Sequence, residues 1–321
     1  MPKTLLQIVQ AAQAELGLPQ SSTVVGNTDP TTVQMYYLSN RVLDELRRMN
    51  RWTACQFEYD LVVNPPIQTT GNLGINSPVI TNIPSTAGLA ANYWAVSGNS
   101  IPQAARIQSV DSATQITMDM EASLTEAITD APLNFAQDTY PIPPDFDFFN
   151  NRTMWDRTNR WELLGPDSPQ IDQWHRSGIV ATGPRRHFRK IGPYANTFRV
   201  WPPPAEIVNP LQLVFEYLSL NGVMVHGSND TFSQYFQYDD DQPLLDDQAI
   251  IMGIKWMFWE VKGFGSYVTL QSRWIDYVER LAARDGAAPT LQLVKRFSAL
   301  LISPNNVQDG YFPGPSGPSS L

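Results

Sequence analysis

The sequence predicts an α+β fold. A mainly α-helical core, made of an N-terminal helical hairpin and C-terminal helices, carries a β-sheet portion and an inserted small β domain. Three observations predict it. Apolar residues recur at helical spacing up to Met49 and again after Asp246. Between these regions they alternate with the two-residue period of strands. From residue 64 to 132 the composition shifts: this stretch holds one basic residue, Arg106, and five acidic ones, and is rich in Gly, Ser, Thr, Asn and Pro.

The first helix starts at Thr4, which with Gln7 has capping-box spacing. Leu5, Ile8, Val9, Ala12 and Leu16 fall on one face, and Gly17 is a C-terminal stop. Asp29 caps a second helix with Pro30 in its first turn, and Met35, Leu38, Val42, Leu46 and Met49 form its apolar stripe. Phe57, Tyr59, Leu61 and Val63 then alternate as a strand. Within 64–132, Val110 is expected to end a short strand, Asp111 to Thr114 to turn, and Ile116, Met118 and Met120 to alternate on the next. Leu133, Phe135 and Tyr140 are expected to return the chain to the parent domain. Further strands are expected at Phe188–Ile191, Thr197–Trp201 and Leu211–Leu218.

After Asp246 and Asp247 comes a helix that is apolar nearly all round, with Ile250, Ile251, Ile254, Met257, Phe258 and Val261 on one side and Trp256 and Trp259 on others. Such a helix is either central to a core or sandwiched between subunits. A further helix carries Trp274, Val278 and Leu281 and stops near Gly286, and a last one runs from Thr290 to Leu301. Residues 303–321 are rich in Pro, Gly and Ser and read as an extended arm. The expected domains are therefore a discontinuous core (1–63 and 133–302), a β module (64–132) and the arm (303–321).

At 321 residues the chain can form one large domain with an insertion, or two domains. Only 17% of residues are charged and 26 are proline, which implies long loops, extended arms or buried interfaces. The net charge of −9 disfavours sequence-specific DNA binding. The single cysteine, Cys55, excludes an intramolecular disulfide and a Cys-based metal site, and is read as a small buried residue. The N-terminal segment lacks the apolar run of a signal peptide. The apolar stretch Ala249–Val261 is interrupted by Lys255 and Glu260 and is too short to span a bilayer. A soluble protein with no membrane association is expected.

No motif with specific catalytic spacing is present, and no metal or cofactor is expected. His175, His187 and His226 lie far apart in sequence. The densest carboxylate group is Asp239-Asp240-Asp241 with Asp246-Asp247. It could bind a divalent cation, but its spacing is not that of an EF-hand, and a solvated loop that caps the following helix and complements its dipole is the favoured reading. Arg185-Arg186-His187-Phe188-Arg189-Lys190 is the only basic cluster. It could touch nucleic acid, but a strand edge, or a face salt-bridged against an acidic neighbour subunit, is favoured. Carboxylate pairs such as Asp145 with Asp147, or Glu121 with Glu126, are not specific signals for glycosidic cleavage.

The order of segments carries a resemblance. Leu5-Leu6-Gln7-Ile8-Val9 through Glu15-Leu16-Gly17-Leu18-Pro19, then Leu43-Asp44-Glu45-Leu46 before Trp52, Tyr140-Pro141-Ile142-Pro143-Pro144-Asp145-Phe146, and Tyr238 to Asp246 ahead of Ile250–Trp259 are similar to the corresponding segments of head-to-tail adaptors of short-tailed bacteriophages. These are the tail tubular protein A-like connectors. Lys262-Gly263 and Arg284-Asp285-Gly286-Ala287 continue the match. In the insert, Val96 to Pro102 and Ile107 to Met118 resemble small β modules that decorate phage tail proteins.

The resemblance implies a structural virion protein and not an enzyme. It would be made in the host cytoplasm and placed at the head–tail junction. The implied assembly is a ring of 12 copies beneath the portal protein, with genomic DNA passing through its channel and nozzle and tail fibre proteins attached. It also implies an arm that docks on the portal, with Pro304, Tyr311 and Phe312 as contacts, and subunit packing through the helix bearing Ile250, Ile254, Trp256, Phe258 and Trp259. The alternatives are a virion-associated peptidoglycan hydrolase, or a tail component that binds fibre or glycan through the β insert.

Overall fold

A computed structural model describes residues 2–98, 100–177, 186–192, 197–204, 211–228 and 230–286. Among them are five α-helices: α1 (Leu5–Glu15), α2 (Pro30–Met49), α3 (Pro169–Arg176), α4 (Asp247–Lys262) and α5 (Tyr267–Asp285). Strand residues are about as numerous as helical ones, so the fold is mixed rather than mainly helical. The sequence reading undercounted strands because several are only two to four residues long, too short for alternation to register. The expected helix from Thr290 and the arm, with Pro304, Tyr311 and Phe312, lie outside the described residues.

The chain divides into two compact units, and these do not follow the expected boundaries. The first comprises Met1–Glu58, Asp145–Phe149 and the described part of Glu216–Thr290. The second comprises the described parts of Tyr59–Pro144 and Asn150–Phe215. The unit boundaries fall within two strands, Gln56–Val62 and Gln212–Ser219, and on either side of Asp145–Phe149.

In the first unit, α1 begins with the predicted capping box: Thr4 and Gln7 each accept from the other's backbone N–H. Asp29 caps α2 by accepting from Thr32 N at 2.9 Å, and Asp246 caps α4 by accepting from Ala249 N at 2.8 Å. The apolar stripes of α1 and α2 close on α4, which buries Ala249, Ile250, Ile251, Gly253, Ile254, Trp256, Met257 and Phe258. α5 covers a further side of α4 through Trp274 and Val278, and Trp274 Nε1 donates to Ala249 O at 2.9 Å. Asp145 joins this unit through its carboxylate, which accepts from Tyr217 Oη, Ser219 Oγ and Asn221 Nδ2.

The second unit contains the β module. Six antiparallel strands run in the order Trp94–Gly98, Ile128–Gln137, Ile67–Leu73, Val79–Thr81, Gln115–Met118, Ile107–Ser112. They enclose their own core, with Leu73, Ile80, Trp94, Ile107, Ile116 and Phe135 among its members. The module extends beyond residue 132. Leu133 and Phe135 belong to its core rather than to a returning segment, because Ile128–Gln137 is an interior strand paired on both sides. Ile107–Ser112 runs past Val110, and Ala113 and Thr114 alone connect it to the next strand. A three-stranded sheet follows, in the order His187–Ile191, Thr197–Trp201, Thr139–Pro141, with Tyr140 against Phe198.

Gly253 sits where α4 crosses α2, and a Cβ there would overlap the Val42 side chain. Alanine would gain about 1 kcal/mol of helix propensity, but overpacking costs about 1–3 kcal/mol. Gly253→Ala is therefore expected to lower unfolding stability in a urea titration. The same change made on a Val42→Ala background should become neutral or stabilising, as a double-mutant cycle would show.

Candidate functional site

Four of the five α4 residues expected at subunit contacts are core residues of the first unit: Ile250, Ile254, Trp256 and Phe258 are all buried within the single chain. Trp259 is half-buried and packs edge-on against Phe264. The large apolar residues left exposed around the α4–α5 connection are Val261, Phe264 and Val268, each more than half exposed. Tyr37 on α2 is more exposed still.

The acidic stretch before α4 is occupied with backbone amides. Asp239 accepts from Val24 N and Val25 N, at 3.0 and 2.7 Å. Asp241, fully buried, accepts from His226 N, Gln237 N and Tyr238 N. Asp247 accepts from Lys3 N at 2.8 Å. Asp240 is exposed and bonded to His226 Nδ1 at 2.9 Å, a hydrogen bond that holds its carboxyl below the usual carboxylate range. Asp246 caps α4 as expected, but the stretch is not simply a solvated capping loop: Asp241 is buried, and Asp239, Asp241 and Asp247 pin backbone amides elsewhere in the unit.

Cys55 is fully buried. Burial is the main cause pushing its thiol up to about 11, offset in part by the positive charge of Arg47. A buried neutral thiol is a packing residue, the opposite of an activated nucleophile.

In the basic cluster, Arg186, His187 and Arg189 each lie beside a carboxylate of the second unit. His187 and Arg189 lie on one face of their strand, and α3 rests on that face through Asp172, His175 and Arg176. These are spaced i, i+3 and i+4, so they share one side of the helix. Arg189 pairs with Asp172 at 2.8 Å, and Arg176 stands over the Trp201 ring and donates to Ala104 O. Arg186 approaches Asp156 at 3.6 Å. Deeper, Asp138 pairs with Arg106 at 2.8 Å and lies 3.6 Å from Arg199. Burial, then the like charge of Arg106, lowers the Arg199 guanidinium to about 10.

Two of the three histidines meet here. The rings of His175 and His187 are 4.2 Å apart, and His187 Nδ1 is 3.2 Å from Asp167 Oδ2. One ligand atom from each of Asp167, His175 and His187 lies within 4.8 Å of the other two. Their separation in sequence gave no sign of this. The missed signal is Ser168-Pro169, an N-cap followed by a first-turn proline, which starts α3: Ser168 Oγ accepts from Ile171 N. A cleft of about 360 Å³ also opens in this unit, lined by residues that include Val96, Ser97, Ile101, Asn134 and Trp201.

No family model and no curated protein matches the chain.

Two outcomes follow. Asp239→Ala leaves two backbone amides without their acceptor and should cost about 1–3 kcal/mol of stability, whereas millimolar calcium should leave the Tm of the unmodified chain unchanged. A rise in Tm with calcium would assign the carboxylates to a cation instead. Cys55 should resist an aromatic disulfide reagent at pH 8 until guanidinium unfolds the chain. Because its folded value is raised, its neutral form contributes stability fully below about pH 9, and that contribution fades as pH rises toward about 11.

Proposed function

We propose that the chain is a structural protein of a short-tailed bacteriophage virion: a head-to-tail adaptor that forms a ring beneath the portal protein, extends the DNA channel, and provides attachment for nozzle and tail fibre proteins. The observation that carries this reading is the convergence of α1 and α2 with α4 and α5 into one helical unit, although more than 190 residues separate Met49 from Asp247. The segments that resemble the adaptors include those that build this unit. Between them the chain forms a β module with its own core, as expected of a decorating insert.

On this reading the ring does not pack through the buried face of α4, which the chain itself covers. The exposed apolar residues around the α4–α5 connection (Val261, Phe264 and Val268) serve that role, since exposed apolar patches mark interaction sites. A net charge of −9 suits a channel through which DNA must slide without sticking. Among the described residues no helix is long and apolar enough to cross a membrane. A second reading, recognition of a glycan or fibre beside the β module, draws support from the cleft bordered by Ser97, Asn134 and Trp201. Trp201→Ala should abolish such binding while leaving ring assembly intact.

Mixing the purified chain with portal rings of its own virion tests the main reading. Electron microscopy should show the chain monomeric alone and assembled as a ring on the portal. Phe264→Asp with Val268→Asp should prevent the ring while circular dichroism stays unchanged. Failure of the unmodified full chain to bind portal rings would remove the adaptor reading.

A further inference from the structure

We propose that Asp167, His175 and His187 hold a divalent transition-metal cation of the zinc class, which pins α3 to the strand His187–Ile191. The inference stands apart from the adaptor reading and survives its failure. The donor set is two imidazoles and a carboxylate, a combination that zinc-class ions take in proteins. Around a tetrahedral metal with bonds of about 2.0–2.2 Å, neighbouring donors lie about 3.3–3.5 Å apart. His187 Nδ1 and Asp167 Oδ2 are already 3.2 Å apart, and the whole set lies within 4.8 Å. The widest gap in the set exceeds a tetrahedral edge by at most about 1.5 Å.

The backbone beneath these ligands is fixed independently of any metal. Asp167 N donates to Phe188 O at 2.9 Å, and Leu164 exchanges hydrogen bonds with Arg186 and Phe188. Gly165, at φ +150°, permits this approach: a Cβ there would sit 2.5 Å from Phe188 O. Thus Asp167 is held in register with His187 by the chain on either side. His175 is held by α3, whose Asp172 grips Arg189 two residues along from His187. The ligands therefore come from three separate anchored segments, which is how a rigid site is assembled.

The electrostatics allow a cation. Arg189 is offset by Asp172, and Arg186 lies near Asp156. His175 makes ring contacts with Trp174 and His187 and no hydrogen bond to another described residue. The two rings lie 4.2 Å apart at a tilt of 38°, and a metal that takes one nitrogen from each gives that contact a role. Asp167 and His187 are mostly buried, with side-chain exposures of 12% and 23%, which leaves room for water in a fourth position. The group His226, Asp240 and Asp241 is a weaker candidate. The oxygens of Asp241 already accept three backbone amides, and its other two members are exposed.

Zinc chloride titrated into the full chain, purified without a histidine tag and stripped with chelator, tests the site by calorimetry. One zinc ion per chain should bind in the low micromolar range or tighter and raise Tm, and cobalt(II) should give visible absorption of a nitrogen–oxygen site. His175→Ala and His187→Ala should each weaken binding by at least about tenfold, and so should His187→Gln, which retains a polar side chain if alanine disturbs the fold. His226→Ala should bind zinc as the unmodified chain does. No stoichiometric zinc, equal binding by the His175 and His187 variants, or loss of binding in His226→Ala alone would each overturn the proposal.

Discussion

α4 is apolar over most of its circumference, and burying it is the constraint around which the first unit is arranged. Ile250, Ile251, Ile254, Met257, Trp256 and Phe258 point to more than one side, so no single partner helix can cover them. Fully burying a side chain of this kind is worth about 1.5–3 kcal/mol, so leaving one side bare would forfeit a large share of a domain's marginal stability. The chain solves this with α5 from the adjacent sequence and α1 and α2 from the far end. Gly253 sets the closeness of the α2 crossing, since only the absence of a Cβ lets Val42 seat against α4. Polar contacts then fix the arrangement: Leu5 N and Leu6 N donate to Asp241 O and Asp239 O, and Lys255 pairs with Glu15.

Bringing α1 and α2 to α4 requires closing a loop of nearly two hundred residues. The entropic cost of closure grows only logarithmically with length, and most of that loop is folded. The β module has its own core, so it does not draw on the helical unit for apolar burial. This explains how a helical unit can tolerate an insert of this size. It also explains why the composition of 64–132 stands apart in the sequence: a two-faced sheet with short turns calls for Gly, Ser, Thr and Asn where a helix would call for Ala, Leu and Glu.

What was legible in the sequence was local. Thr4 with Gln7, Asp29 with Pro30, and Asp246 announced three helix starts, because capping chemistry is confined to four residues. The alternation of Ile116, Met118 and Met120 announced a strand; Ile116 and Met118 are buried on it, but it stops at Met118 and Met120 is exposed. The role of Leu133 and Phe135 was not legible, because alternation says which face a strand buries and not which sheet it joins. Nor was α3. Its eight residues include only two large apolar ones, Ile171 and Trp174, and both are exposed, so it has no apolar stripe to read. It is held instead by Asp172, His175 and Arg176, and polar contacts between distant segments leave no periodic trace. For the same reason three histidines spaced along the chain concealed one pair in contact.

The self-sufficiency of α4 bears on assembly. If the apolar helix were an intersubunit element, the isolated chain would expose a large apolar surface and associate strongly by itself. Its burial within one chain leaves Val261, Phe264, Val268 and Tyr37 as the large apolar side chains most exposed on α2, α4, α5 and the α4–α5 connection. At about 25 cal/mol per Å², so small a patch barely offsets the several kcal/mol lost when two molecules associate. For the adaptor reading this has a direct consequence. Weak lateral contacts close a ring only when something holds many copies at high local concentration, and a portal ring that presents repeated docking positions supplies that template. An adaptor built this way would stay dispersed until the head is ready and would then assemble in register with the portal. The covering of α4 by its own chain is therefore compatible with a ring protein, provided that ring formation is templated rather than spontaneous.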